Sequence, residues 1–246
     1  NCDEERLLGV SLTGIMDNSL TANPKPESLQ HLREIAVHTN EALAQEIGIH
    51  PSASITCVKP SGTVSQLVDS ASGIHSRHSP YYIRRVRMDT KDPMTTFMQD
   101  LKWVWEPDST KPNETVVFSF PVKSPKGCIT REKRSAIQQL EVWSLYQEHW
   151  CQHKPSITIT VKEEEWLEVG AWVFNNFKTM SGVSFLPHTD HSYKQAPYED
   201  CDKKTFNHLN NMICEADWST LTQYEEEDYT VASQELACSA GFCEVL

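Results

Sequence analysis

The sequence predicts an α/β protein built on a parallel sheet or on part of a barrel. Three observations lead there. Strand-like and helix-like segments alternate along the chain. The strand segments read as apolar on both faces, as strands covered by helices on each side must. Finally, Ser156–Val161 (Ser-Ile-Thr-Ile-Thr-Val) alternates strictly and is rich in β-branched residues.

Taken in order, Leu7 to Ile15 is an apolar run with Gly9 inside it, suited to a buried strand or a helix start. Asn23-Pro24-Lys25-Pro26 is a turn. From Glu27 to Ile47, Leu29, Leu32, Ile35, Ala36 and Leu43 recur at helical spacing, and Gly48 stops the helix. Ala53 to Val58 reads as a short buried strand. It leads into Lys59-Pro60-Ser61-Gly62-Thr63-Val64, a tight turn opening a helix. Strands are expected at Tyr81–Met88, Thr115–Val122, Ser156–Val161 and Val183–Leu186. Helices are expected at Arg131–His149, at Glu163–Phe177 with Trp166, Val169, Trp172 and Val173 on one face, and at Thr205–Met212. Beyond Thr220 the chain turns acidic and loses periodicity, which predicts a mobile tail.

Bulk properties narrow the function classes. A formal net charge of −12 argues against a broad grip on nucleic-acid phosphates, although Arg84, Arg85 and Arg87 can form a local basic pocket. No apolar run reaches the roughly 20 residues of a membrane span. Eight irregularly spaced cysteines in 246 residues are too few for a disulfide-built scaffold and point to a reduced, cytoplasmic protein. The start at Asn1, with neither Met nor a signal-peptide stretch, reads as a fragment, a processed chain or a piece of a larger polypeptide.

Two constellations carry chemistry. The turn at Pro60, Ser61, Gly62, Thr63 and Val64 offers free N–H groups at a helix start, hydroxyl donors, and a glycine that lets phosphate come close. Simple helix capping uses the same residue types. Cys238 and Cys243 are two thiols five positions apart near the C-terminus, on an acidic tail able to swing into another site, as a shuttle dithiol requires. A zinc half-site is the competing reading, but it lacks further ligands. The pairs His149/His153, His75/His78 and His188/His191 read as helix-end or loop histidines rather than metal ligands, and Cys2-Asp3-Glu4 as a frayed terminus.

Together these segments resemble the C-terminal part of class II ribonucleotide reductases, of the monomeric, adenosylcobalamin-dependent type acting on ribonucleoside triphosphates. The resemblance runs collinearly through Leu8–Asp17, Val58–Val64, Gly73-Ile74-His75, Ile83–Arg87, Phe120–Lys123, Thr158–Thr160, Gln195-Ala196-Pro197 and the terminal cysteine pair. It implies the C-terminal half of a ten-stranded α/β barrel over residues 1–219 and a mobile redox tail over 220–246. It implies substrate phosphates on Pro60–Val64, and adenosylcobalamin against regions around Tyr81, Arg84, Pro187, Tyr193, Gln195 and Pro197. Pro187-His188 departs from the family's usual Pro-Tyr, which places the local cofactor packing in doubt.

The resemblance further implies that Cys238 and Cys243 reduce an active-site disulfide and are re-reduced by thioredoxin or a similar donor. The cysteine that carries the thiyl radical has no counterpart here, so the N-terminal half of the reductase is an expected partner and the chain alone is expected to be inactive. A non-catalytic or regulatory subunit that kept the half-barrel is the alternative.

Overall fold

The computed structural model describes residues 2–62, 64–188 and 194–225. Its first elements are α1 (Cys2–Glu5), β1 (Leu7–Ser11), α2 (Ser19–Ala22), α3 (Pro26–Ile47), β2 (Ser54–Cys57), α4 (Val64–Leu67), β3 (Tyr81–Asp89) and α5 (Pro93–Asp100). Then follow β4 (Trp105–Pro107), β5 (Thr115–Lys123), α6 (Ala136–His149), β6 (Ser156–Val161), α7 (Trp166–Asn176), β7 (Gly182–Pro187), β8 (Tyr198–Asp200) and α8 (Lys203–Met212). The chain groups into two compact units, each made of two segments. The first comprises 1–77 and 125–189, the second 78–124 and 190–246.

The first unit holds two parallel strand pairs, β1 with β2 and β6 with β7. Helix α3 lies between the strands of the first pair and α7 between those of the second, giving two β–α–β units, the connection parallel neighbours need. Proline at the first position starts α3, and Gly48 ends it in the left-handed conformation, its N–H reaching the carbonyls of Ala44 and Gln45. Helix α6 begins at Ala136 rather than Arg131, because Ser135 and Gln138 form a capping box there. Its Leu140, Trp143 and Tyr146 pack with Val58, Ile74 and Ile159 of the main core, each side chain contributing roughly 1.5–3 kcal/mol by leaving water. Strand β6 obeys its alternation, with Ile157, Ile159 and Val161 buried and Ser156 exposed.

Not every apolar stripe is covered. On α3, Leu29 is buried, but Leu32, Ile35 and Leu43 of the same stripe are each about half exposed. Every residue of β1 is exposed, including Leu7, Leu8 and Val10. On α7, Val169 is buried whereas Leu167 and Phe174 are almost wholly exposed.

The second unit departs from the parallel expectation. Strands β3 and β5 pair antiparallel over nine residues, from Tyr81 opposite Lys123 to Asp89 opposite Thr115, within a sheet ordered β4-β5-β3-β8. With Arg84, Arg85 and Arg87, β3 is not apolar on both faces, and antiparallel sheets tolerate such a face where parallel ones do not. A small core of Phe97, Met98, Val116 and Phe118 lies here. Leu221 and Tyr224 pack against it and Trp218–Gln223 forms a 3-10 helix, so the stretch just past Thr220 is structured. Among the described residues, no helix is long and apolar enough to cross a membrane.

Candidate functional site

The Pro60–Val64 turn leaves the end of β2 and enters α4. Val58 is buried, Lys59 and Pro60 are exposed, Ser61 and Gly62 are half-buried, and Val64 is exposed. Thr63 lies outside the described residues, as do Tyr193, His191, Cys238 and Cys243. Ser61 does two jobs. Its Oγ accepts from the Ser65 N–H in α4 at 2.8 Å, while its own N–H donates to Ser72 Oγ at 2.8 Å. The Ser65 hydroxyl returns a short bond to the Ser61 carbonyl. Accepting from Ser65 leaves the Ser61 hydroxyl its own hydrogen to donate to a ligand.

The loop 69–77 supports this turn from behind. Gly73 sits at φ +54°, and a Cβ there would meet the Lys59 carbonyl oxygen at 2.7 Å, so glycine is required by both conformation and space. Its N–H donates to Thr13 Oγ1 and its carbonyl accepts from Ile15 N–H. Beneath, Asp17 receives a bidentate fork from the buried Arg77, with Nε to Oδ1 at 2.8 Å and Nη2 to Oδ2 at 2.9 Å, plus the Ala71 N–H at 2.7 Å. Arg77 also reaches the Asp69 side chain at 3.0 Å and the Asp69 carbonyl. Asp17, Ser65, Ser72 and Arg77 were missed as a functional group by sequence reasoning. They lie up to 60 residues apart, and only the Leu8–Asp17 and Gly73-Ile74-His75 segments marked the place.

The second unit gathers Tyr81, Arg84, Gln195 and Pro197, whereas Pro187 ends β7 in the first unit. Arg84 Nη1 donates to Tyr198 Oη at 2.9 Å, and Tyr81 packs on Phe206. Arg87 pairs with Asp108 at 2.8 Å. Burial alone would raise the Asp108 carboxyl, but hydrogen bonds from Thr110, Lys111 and Arg87 prevail and hold it well below the usual carboxylate range. The Gln195 amide accepts from the Ser109 N–H and donates to the Pro107 carbonyl.

A candidate cofactor surface is tested by what a ligand would find there. A cleft of about 310 Å³ lined by Arg85, Trp105, Glu106, Ser119, Thr205 and Leu209 lies on this sheet. Arg85 pairs with Glu199 at 2.7 Å, yet its buried Nε has no partner among the described residues. The cleft stands at the low end of the volumes of ligand sites, roughly 300–1,000 Å³, and is too small for a whole corrin ring.

His149 accepts from Gln30 Nε2 through Nδ1, and His153 donates to the Leu8 carbonyl. His78 faces Asp200 at 3.0 Å and His188 faces Glu132 at 2.9 Å. No group of metal-ligating side chains occurs among the described residues.

No family model matches the chain. It is 27% identical over 224 residues to an adenosylcobalamin-dependent ribonucleoside-triphosphate reductase of Lactobacillus acidophilus, covering 89% of this chain and 30% of that protein. A probable enzyme of the same description from Dictyostelium discoideum is 30% identical over 188 residues, covering 74% and 24%. One from Euglena gracilis is 30% identical over 175 residues, covering 70% and 24%. Among solved structures, a crystal structure of a B-12 dependent (class II) ribonucleotide reductase superposes with a TM-score of 0.78 at 24% identity, over 90% of this chain and 35% of that one. That likeness shows the fold. The chain spans between about a quarter and three tenths of the length of these relatives, and over most of its own length it is a homologue of adenosylcobalamin-dependent ribonucleoside-triphosphate reductases.

Proposed function

We propose that this chain is part of an adenosylcobalamin-dependent reductase that converts ribonucleoside triphosphates to 2′-deoxyribonucleoside triphosphates. The observation that carries the proposal is the Pro60–Val64 turn, buttressed by Ser72 and Gly73, within a chain homologous to such reductases. In this reading Ser61, Gly62, Thr63 and Val64 bind the substrate's phosphates. Arg85 and the residues around Tyr81, Arg84, Pro187, Tyr193, Gln195 and Pro197 contribute to the cobalamin surface. Adenosylcobalamin, when bound, supplies the radical chemistry. The net reaction replaces the ribose 2′-hydroxyl by hydrogen, releases water and converts a pair of protein thiols to a disulfide. Cys238 and Cys243 then reduce that disulfide by exchange and are restored by thioredoxin or a similar dithiol.

The thiyl cysteine comes, in this reading, from an N-terminal half of the reductase, whether joined to this chain or separate. The first unit would give its two β–α–β units to a ten-stranded barrel, and the exposed apolar residues of β1 and α3 support this by offering uncovered surface to the rest of such a barrel.

The test is turnover of a ribonucleoside triphosphate by the complete assembly with added adenosylcobalamin, comparing wild type with Cys238→Ser/Cys243→Ser. Activity that collapses with thioredoxin but survives with a small dithiol is expected. Equal activity with both donors sinks the shuttle role, and no cofactor-dependent turnover favours a non-catalytic subunit.

A further inference from the structure

We infer that His75 is a positioning residue for the Pro60–Val64 turn, held as the neutral tautomer with hydrogen on Nδ1 and acting through Ser72. The inference rests on the phosphate reading of the turn and extends it to a residue outside it.

The tautomer follows from the partners. His75 Nε2 lies 3.1 Å from the backbone nitrogen of Thr158 on β6. A backbone N–H can only donate, so Nε2 accepts and carries no hydrogen. The ring hydrogen is therefore on Nδ1, which faces the Ser72 carbonyl at 3.1 Å and donates to it. The same carbonyl also accepts the His75 backbone N–H at 2.9 Å. Ser72 in turn presents Oγ to the Ser61 N–H at 2.8 Å. A continuous path thus runs from strand β6 through the imidazole and Ser72 to the backbone of the turn. Burial of the ring disfavours its charged form, which would also set an Nε2 hydrogen against the Thr158 N–H.

This placement explains the use of histidine here. Only a group that accepts on one edge and donates on the other spans β6 and the loop at once, and neutral imidazole does so on a rigid ring. The Ser61 N–H, fixed on Ser72, sets the first peptide of the turn, and with it the Ser61 hydroxyl that the phosphate reading uses.

The first measurement is nitrogen NMR of the full chain labelled at histidine, which is expected to report His75 protonated at Nδ1 alone. A ring hydrogen on Nε2, or an imidazolium at neutral pH, overturns the inference. The second uses the complete assembly with a ribonucleoside triphosphate as probe. In His75→Leu, KM is expected to rise about tenfold while kcat changes less than about twofold, and His75→Asn, which restores a donor toward Ser72, should recover most of the loss. Should His75→Leu fail to fold, Ser72→Ala removes the last link alone and is expected to raise KM in the same way. Unchanged KM in Ser72→Ala, with wild-type binding intact, overturns the positioning role. Failure of the wild-type assembly to bind the triphosphate at all instead overturns the phosphate reading, and the NMR result still decides the tautomer.

Discussion

Removing the guanidinium of Arg77 should be among the most damaging single changes to the first unit. Its side chain is 2% exposed and its chief partner, the Asp17 carboxylate, 16%. In Arg77→Met the fork of two bonds to Asp17 disappears, and that carboxylate keeps the Ala71 N–H but loses its counter-charge. Breaking one side of a buried pair costs about 3–5 kcal/mol. The bond to Asp69 adds little, because that side chain is 71% exposed and an exposed pair contributes only about 0–1 kcal/mol. With a urea dependence of about 1–3 kcal/mol per molar, the unfolding midpoint should fall by on the order of 2 M. The assay is urea unfolding of the full chain followed by circular dichroism, with Asp17→Asn and the double variant completing a cycle. The double variant should be less destabilised than the sum of the singles, by about 1–3 kcal/mol. A cost below about 1 kcal/mol for Arg77→Met, or strict additivity, would refute the reasoning.

Three further outcomes are expected. Gly73→Ala, placed at φ +54° with its Cβ 2.7 Å from the Lys59 carbonyl, should cost about 2 kcal/mol, lower Tm by about 4–8 °C and weaken triphosphate binding; unaltered binding and Tm would show that the loop does not press on the turn. Asp108, with its pKa depressed in the folded state, contributes stability that is fully present above the ordinary carboxylate pKa of about 3.9 and is lost as pH falls through the lower folded value. Asp108→Asn should therefore flatten the acid limb of the stability curve, and an unchanged limb would assign acid unfolding to other groups. Under iodoacetamide at pH 8, peptide mapping should find the exposed Cys214 alkylated well before Cys151, whose thiol burial and then neighbouring Cys57 push up to about 12. Equal rates at the two positions would contradict that burial.

Much of the first unit was legible because its signals are local. Proline at the start of α3 and Gly48 at its end delimit that helix within one residue of expectation. The alternation in Ser156–Val161 marked β6 as a strand with the same bounds that the structure gives it. Helix α5 was missed although Asp92 and Pro93 spell a capped start, the Asp92 carboxylate accepting from the Met94 N–H. The antiparallel sheet was hidden because Arg84, Arg85 and Arg87 were read as a local basic pocket and not as a polar face of the Tyr81–Met88 strand. The turn was legible as a helix start, but its supports were not. Ser61 meets Ser72, Gly73 meets Thr13, and His75 meets Thr158 across 11, 60 and 83 residues, and no local pattern marks a polar side chain for burial.

The interleaving of the two units bears on how the molecule is made. The segment 78–124 leaves and returns at one spot, where the Arg77 N–H donates to the Ile129 carbonyl and the Arg131 N–H donates back to Arg77. A ribosome completes both strands of the β3–β5 pair before it has released β6 and β7. The β3–β5 pair can therefore form while the first unit is half synthesised. Strand β8 arrives last and takes the Tyr82–Arg84 edge of β3. A nascent chain halted near residue 188 would carry that edge open, ready to be paired by whatever strand it meets first.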